Sequence, residues 1–408
     1  NGGANAGHTI EFEDGQRGAL HQLCSGIFVK NAIMIMGKGM VLHPQDLISE
    51  ITEVIKISGG KLKSELMIDE MAVLSPDTHR AYESMLKTWE SGGSGSTARG
   101  IGPAYADIVL RHPLRMRDLR DFNEEKIAKH YNLYKALING LGGDLAKTEV
   151  ARLHGTTKVG SLKEFIAKLK DSQKVLKPFI KDIYPFLKKA WEDEKNYAFV
   201  FEKAQAVGLD IRYGVYPDVT GSDCTFAGIL ASTQGLIDSE EIEKRIAVLK
   251  GTYMSSVGSR KIPTMMTNEN AKRYQTEFKE FGATTKRLRD IAYIDLPALR
   301  FFVKANKPNF LAFTHLDATF ADEPIKICTD YTINGKIVAY RPDQEFLNKV
   351  TAKYIELPTY SSEKTINSKK YSDLPKGAKN FLKFISNDLK LPVLMVTTGP
   401  KRDQGFIV

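Results

Sequence analysis

The chain has 408 residues, 42% hydrophobic and 26% charged, with 58 Lys and Arg against 49 Asp and Glu for a formal net charge of +9. Such a composition describes an ordinary globular protein, large enough for one extended α/β domain with appendages. No long uncharged apolar run occurs, since the stretch from Ala32 to Leu42 is broken by Lys38, and a membrane span is therefore not expected. Cys24, Cys224 and Cys328 are far apart, which argues against a disulfide framework or a zinc spacing and for a reducing, cytoplasmic setting. The positive charge fits nucleic-acid binding, steering of anionic substrates, or a lysine-rich solvated surface. The lysines are spread along the chain, and no recognition helix, zinc finger or ribonucleoprotein pattern accompanies them, so a nucleic-acid partner is not expected.

In chain order, the first notable stretch is NGGANAGHT. Gly2, Gly3 and Gly7 allow close backbone approach, while Asn5, His8 and Thr9 add a donor-acceptor, a titratable ring and a hydroxyl. Backbone amides of such a loop suit a phosphate, and the chain is expected to start partway through a functional unit. Ala32 to Met36 reads as a buried strand. GSTARGIGPAYAD (95–107) is a second glycine-rich loop, with Ser96, Thr97 and Arg99 available to an anion. Leu162, Phe165, Ile166 and Leu169 have helical spacing, which Val175, Leu176, Phe179, Ile180 and Ile183 continue past Pro178. These lysine-rich helices predict a peripheral helical subdomain within 120–195.

Tyr197 to Phe201 reads as another strand. In FGATTKRLRDIAYID, Thr284, Thr285, Lys286, Arg287 and Arg289 form a hydroxyl and cation cluster suited to a carboxylate or phosphate. Strands at Asn309 to Thr314 and Val393 to Val396 run into Thr314, His315 and Asp317, and into Thr397, Thr398, Gly399 and Pro400. A strand-end Thr-Lys-x-Asp reads guanine in GTP-binding proteins, and here His315 stands at the lysine position. Alternating strands and helices predict an α/β fold, a large mainly parallel sheet flanked by helices within a single domain over 1–408. Ligands of such sheets sit beyond the carboxyl ends of the strands, where these motifs fall.

Together NGGANAGHT, STARGIGPAYAD, GVYPDVTGSDCT, FGATTKRLR, THLD and TTGPKR resemble the adenylosuccinate synthetase family, in its order and across almost the whole chain. The resemblance implies the family's P-loop-NTPase-like fold and a carbon–nitrogen ligase that joins L-aspartate to the 6-position of IMP with GTP and Mg²⁺, through a 6-phosphoryl intermediate. It implies that His8 stabilises the developing 6-oxyanion or phosphoryl group and that the Gly7 carbonyl helps to hold Mg²⁺. Asn5, Thr97, Gln205 and Thr220 match contacts to the acceptor nucleotide, with Arg287 near its ribose. Arg111 matches an arginine that reaches the 5′-phosphate from a neighbouring subunit, implying a homodimer. Thr284, Thr285, Arg287 and Arg289 match the aspartate-carboxylate loop. Thr9 lies beside the GTP phosphates, while His315, Asp317, Thr398, Gly399 and Pro400 match guanosine contacts. An upstream segment with a phosphate loop, a catalytic aspartate and a lysine is implied as well.

The chain also departs from the family pattern. His315 replaces a lysine; Lys203 and Ala206 in FEKAQA stand where glycines flank the glutamine; and Ser256 and Met266 replace an arginine and a glutamate. These departures surround both nucleotide positions. They leave open dGMP as acceptor, yielding a 2-aminoadenylosuccinate deoxynucleotide, and ATP as donor. A basic nucleic-acid-binding protein is the alternative of a different class.

Overall fold

The computed structural model describes residues 2–12, 14–86, 96–257, 260–282 and 287–408. They form two compact units: Asn1–Thr9, Gly18–Arg212 and Val219–Glu241 in the first, and Ile10–Arg17, Tyr213–Asp218 and Ile242–Val408 in the second.

The first unit contains two three-stranded parallel sheets. In one, Met40–Leu42 lies between Gly2–Gly3 and Val73–Leu74. In the other, Glu65–Asp69 lies between Ile180–Lys181 and Ile33–Met36. The helices of this unit have readable start signals. Pro44–Ile57 opens with Pro at its start and the His43 ring accepting from the Asp46 N–H at 3.2 Å. Leu162–Leu176 opens on a reciprocal Ser161–Glu164 capping box.

Two sequence expectations are corrected here. The periodicity past Pro178 does not extend one helix: it ends at Leu176, followed by a 3₁₀ turn at Lys177–Phe179, a short strand at Ile180–Lys181, and a new helix at Tyr184–Trp191. Proline lacks the N–H and clashes with the preceding turn, so it resets the chain. Tyr197 to Phe201 forms no strand. Its aromatic rings instead pack on one another, Phe199 edge-on to Trp191 with centroids 5.1 Å apart and stacked with Phe201 at 6.1 Å. Phe199 also joins the apolar cluster of Met67, Ile183 and Leu187.

The helix Ile101–Val109 follows the second glycine-rich loop and is anchored from beneath. Asp107 accepts from the Tyr134 hydroxyl at 2.8 Å and pairs with His79 Nε2 at 2.9 Å. Gly100 caps this helix with φ +77°, and a Cβ there would lie 2.8 Å from the His79 Cβ. Only glycine combines that left-handed backbone with such a close approach.

In the second unit Ile246–Lys250, Phe310–Thr314 and Val393–Thr397 form a parallel run, closed by antiparallel Gly405–Ile407. A second sheet contains Tyr253–Ser256, Asp290–Asp295, Ile325–Ile333 and Lys336–Val338, with Thr351–Leu357 also paired to Ile325–Ile333. The helix Lys376–Leu389 turns Ala378, Phe381, Leu382, Ile385 and Leu389 inward onto Leu311, Phe313, Ile327 and Val396. This apolar stripe has the 3.6-residue period of a surface helix facing a core. The molecule is therefore α/β with parallel sheets flanked by helices, as expected.

Candidate functional site

In the first unit, the glycine-rich opening passes through a tightly packed strand. A Cβ at Gly3 would meet Ile101 Cδ1 at 2.7 Å and the Val41 carbonyl at 2.8 Å. The chain then turns, with the Ala6 N–H donating to the Gly3 carbonyl at 2.9 Å. That turn presents Asn5, whose Nδ2 donates to Thr220 Oγ1 at 3.3 Å. Thr220 Oγ1 lies 3.2 Å from Ser222 Oγ, which donates to Gln205 Oε1 at 3.2 Å. Three of the expected acceptor-nucleotide residues, Asn5, Thr220 and Gln205, thus share one polar chain, linked by Ser222.

The ends of that chain are open. Asn5 Oδ1 and Gln205 Nε2 are shielded from solvent yet have no hydrogen-bond partner, and so is His8 Nε2. Buried polar atoms are ordinarily paired, because desolvating one without a partner costs about 1–3 kcal/mol. Three in neighbouring motifs mark a place built for a polar ligand. Gln205 also has φ +59°, a strained backbone for a residue with a side chain. The Glu202 carboxylate lies 3.6 Å from His8 Nε2. Burial lowers the His8 pKa and Glu202 raises it, with burial dominant, so the ring is held mainly neutral near pH 7.

Of the other expected residues in this unit, Thr97 and Gly7 are half-buried, and Thr9 and Arg111 are exposed. Arg111 has φ +68°, just beyond the end of Ile101–Val109. Sequence reasoning did not single out Ser222 or Glu202. Both sit inside quoted motifs, TGSDCT and FEKAQA, but only folding gives them their partners.

In the second unit, the ends of two neighbouring parallel strands meet. The Leu316 N–H donates to the Thr397 carbonyl at 3.2 Å, joining the His315–Asp317 turn to the Thr398–Gly399–Pro400 turn. Asp317 is 8% exposed and its Oδ1 has no hydrogen-bond partner; Thr398 Oγ1 is buried and likewise unpartnered. Burial pushes the Asp317 carboxyl up to about 6. His315 has φ +52° and lies edge-on to Tyr253 at a centroid distance of 6.2 Å. Burial lowers its pKa, and the nearby Lys250 adds to that effect. A Cβ at Gly399 would lie 2.4 Å from Gln404 Oε1. Pro400 is exposed.

Thr284 and Thr285 lie outside the described residues. Arg287 and Arg289 are described: the Arg287 carbonyl accepts from the Gly282 N–H at 2.8 Å, and Arg289 pairs with Glu280 at 2.9 Å. Glu280 also accepts from Lys250 and the Tyr253 hydroxyl, a buried cluster that sequence reasoning missed.

The Gly7 carbonyl is the hard oxygen donor that a divalent cation such as Mg²⁺ takes, and phosphate oxygens commonly complete such a set. Among the described residues, one trio of metal-capable side chains converges elsewhere: His79, Asp107 and His130, with ligand atoms within 4.8 Å. Its two imidazoles do not suit Mg²⁺.

The profile of one protein family, described as adenylosuccinate synthetase, matches residues 1–406. The chain belongs to the adenylosuccinate synthetase family. Its members are carbon–nitrogen ligases that join aspartate to IMP. The chain is similar to the adenylosuccinate synthetase of Pelodictyon phaeoclathratiforme, at 32% identity over 99% of this chain and 89% of that one. Among solved structures, the fully ligated adenylosuccinate synthetase of Plasmodium falciparum superimposes with a TM-score of 0.86 at 26% identity, covering 100% of this chain and 92% of that one. A cyanophage S-2L succinoaminodeoxyadenylate synthetase bound to dGMP and dATP gives a TM-score of 0.51 at 16% identity over 99% of this chain and 85% of that one, a likeness of fold alone.

Proposed function

We propose that this chain condenses IMP with L-aspartate at the expense of GTP, giving adenylosuccinate, GDP and phosphate. In the first step purine O6 attacks the γ-phosphorus of GTP; the bond to GDP breaks and the N1 proton is lost. In the second, the aspartate amine attacks C6, the C6–O bond breaks, and phosphate and a proton leave. The purine 6-oxygen is a poor leaving group, and phosphorylation converts it into a good one.

The observation that carries this reading is the polar chain Asn5–Thr220–Ser222–Gln205, with Asn5 Oδ1 and Gln205 Nε2 left unpartnered. Those free atoms, with Thr97, bind the monophosphate acceptor. His8 donates from Nε2 to the oxygen on which charge develops, where a preorganised donor is most effective. The Glu202 carboxylate, 3.6 Å from that nitrogen, favours the protonated ring electrostatically. The Gly7 carbonyl would help to hold Mg²⁺, which would supply neutralisation of phosphate charge.

The donor base is read in the second unit. An ionised Asp317 accepts from guanine N1–H and N2–H, and Thr398, Gly399 and Pro400 line the same turn. Opposite adenine the carboxylate would stay buried and unpaired, which favours GTP over ATP. Arg287 and Arg289 take the aspartate substrate; Glu280 occupies one end of Arg289, and a guanidinium has five N–H donors.

The test supplies purified protein with IMP, GTP, Mg²⁺ and aspartate, and follows adenylosuccinate by mass spectrometry. Aspartate-dependent phosphate release with that product is expected. No product from IMP would overturn the reading, and product only from dGMP would change the acceptor.

A further inference from the structure

Lys203 is two residues before Gln205, in the segment that also carries Glu202. Its Nζ is shielded from solvent and has no hydrogen-bond partner. Lysine ammonium groups are strongly hydrated, and burying one without a partner is costly. The charged and titratable groups close enough to act on it are Asp223, Cys224 and Asp210. Each is engaged otherwise. Asp210 accepts from the Arg212 and Cys224 N–H groups at 2.8 and 2.7 Å. Asp223 takes Arg212 at 3.3 Å and the Thr225 N–H and hydroxyl at 2.9 and 2.7 Å. The Cys224 thiol is pushed up to about 12 by burial and stays neutral. Glu202, the carboxylate beside Lys203 in sequence, faces His8 instead.

Asp223 and Cys224, which act on the ammonium, follow Ser222 directly in sequence, and Ser222 joins Thr220 to Gln205 in the open polar chain. We infer that Lys203 is an additional anion-binding residue of the acceptor site, its Nζ donating to a phosphate oxygen of the bound nucleotide alongside the Thr220 hydroxyl. This inference rests on the placement of the acceptor proposed above. Burial lowers the Lys203 pKa to about 8, so the group is mostly charged at pH 7 and loses its proton just above it. Asp223 and Asp210 act on the ammonium only through space, and a phosphate oxygen supplies the hydrogen-bond acceptor that it lacks.

The experiment is calorimetric titration of wild-type protein, Lys203→Met and Lys203→Arg with IMP, dGMP, inosine and inorganic phosphate at pH 7. Methionine keeps length and apolar bulk without charge, and arginine keeps the charge. Lys203→Met should weaken IMP binding about tenfold or more, the size expected for a lost charge-assisted hydrogen bond, and leave inosine unchanged. Lys203→Arg should recover most of the loss. Wild-type affinity for IMP should also fall as the pH rises through about 8 to 10, because deprotonation removes the donor. Lys203→Met should lack that step. An IMP affinity within twofold of wild type, or equal weakening of IMP and inosine, would overturn the inference. Lys203-dependent binding of dGMP or inorganic phosphate without IMP binding would sustain it and reject IMP as the acceptor. Binding of none of the four ligands by wild-type protein would reject both.

Discussion

In the proposed reading, two residues, His8 and Asp317, carry the chemistry most directly. His8 is kept mainly neutral by burial, and its Nε2 has the Glu202 carboxylate as neighbour at 3.6 Å. Substituting His8→Asn keeps a hydrogen-bonding side chain but removes the ring. Turnover is expected to fall by about 10²-fold, with IMP affinity little changed, as expected when a group acts chiefly in the transition state. Steady-state kinetics with parallel calorimetry checks this, and near-wild-type turnover would return His8 to a merely structural place. Burial pushes the Asp317 carboxyl up to about 6, and if it reads guanine as proposed, protonation removes the acceptor for N1–H and N2–H. The Michaelis constant for GTP should therefore rise as pH falls through about 6, whereas the constant for Asp317→Asn should be flat across that range. At pH 7 Asp317→Asn should raise it by about 10²-fold, the loss of hydrogen bonds to a charged acceptor. The sign follows from burial: a raised carboxyl pKa leaves the ionised form dominant only above it. Equal use of ATP and GTP by the wild type would reject Asp317 as a guanine reader.

Among the elements, the helix Ile101–Val109 offers the sharpest test of how sequence specifies the site. Gly100 and Gly102 are two residues apart in RGIGPAY, yet their surroundings differ. At Gly100 the backbone has φ +77° and a Cβ would meet His79 at 2.8 Å; at Gly102 nothing lies within 4 Å. Gly100→Ala should destabilise by about 2–4 kcal/mol, combining left-handed strain with overpacking. Gly102→Ala should be neutral or stabilising by up to about 1 kcal/mol through helix propensity. Urea or thermal melts of both variants decide it, and equal effects would remove the steric explanation. From sequence both glycines looked alike, because neither φ nor the approach of His79 is written locally. The strands at 310–314 and 393–397 were legible as apolar runs, and so were the turns that follow them. Past Pro178 the apolar periodicity was misleading, because it persisted where proline had already ended the helix. At Tyr197–Phe201 β propensity was overridden by ring packing onto Trp191. The partners of His8 and Lys250 were equally hidden: Glu202 is 194 residues from His8 along the chain, counted as 202 − 8, and Glu280 pairs with Lys250 across 30.

At the scale of the whole molecule, the excess of 58 basic over 49 acidic residues gives a positive field suited to substrates that are all anions. Assembly is the remaining question. Arg111 is exposed at φ +68°, directly after Val109 and Leu110, which are 80% and 64% exposed. Two large apolar side chains left in water beside a cation make a small patch suited to a partner surface. We expect the chain to form a homodimer in which Arg111 completes the acceptor site of the other subunit. Arg111→Leu alone should then raise the Michaelis constant for IMP, and His8→Asn alone should lower turnover. In a dimer carrying one copy of each, one site has both lesions and the other has neither. If chains pair at random, half the dimers are mixed and each has one intact site, so co-expression should restore about one quarter of wild-type activity. Were Arg111 to act within its own chain, every site would keep one lesion and mixing would restore nothing. Light scattering gives the mass, and differently tagged chains purified in tandem isolate the mixed species for assay. A mixed dimer no more active than its parents would show that the site is complete within one chain.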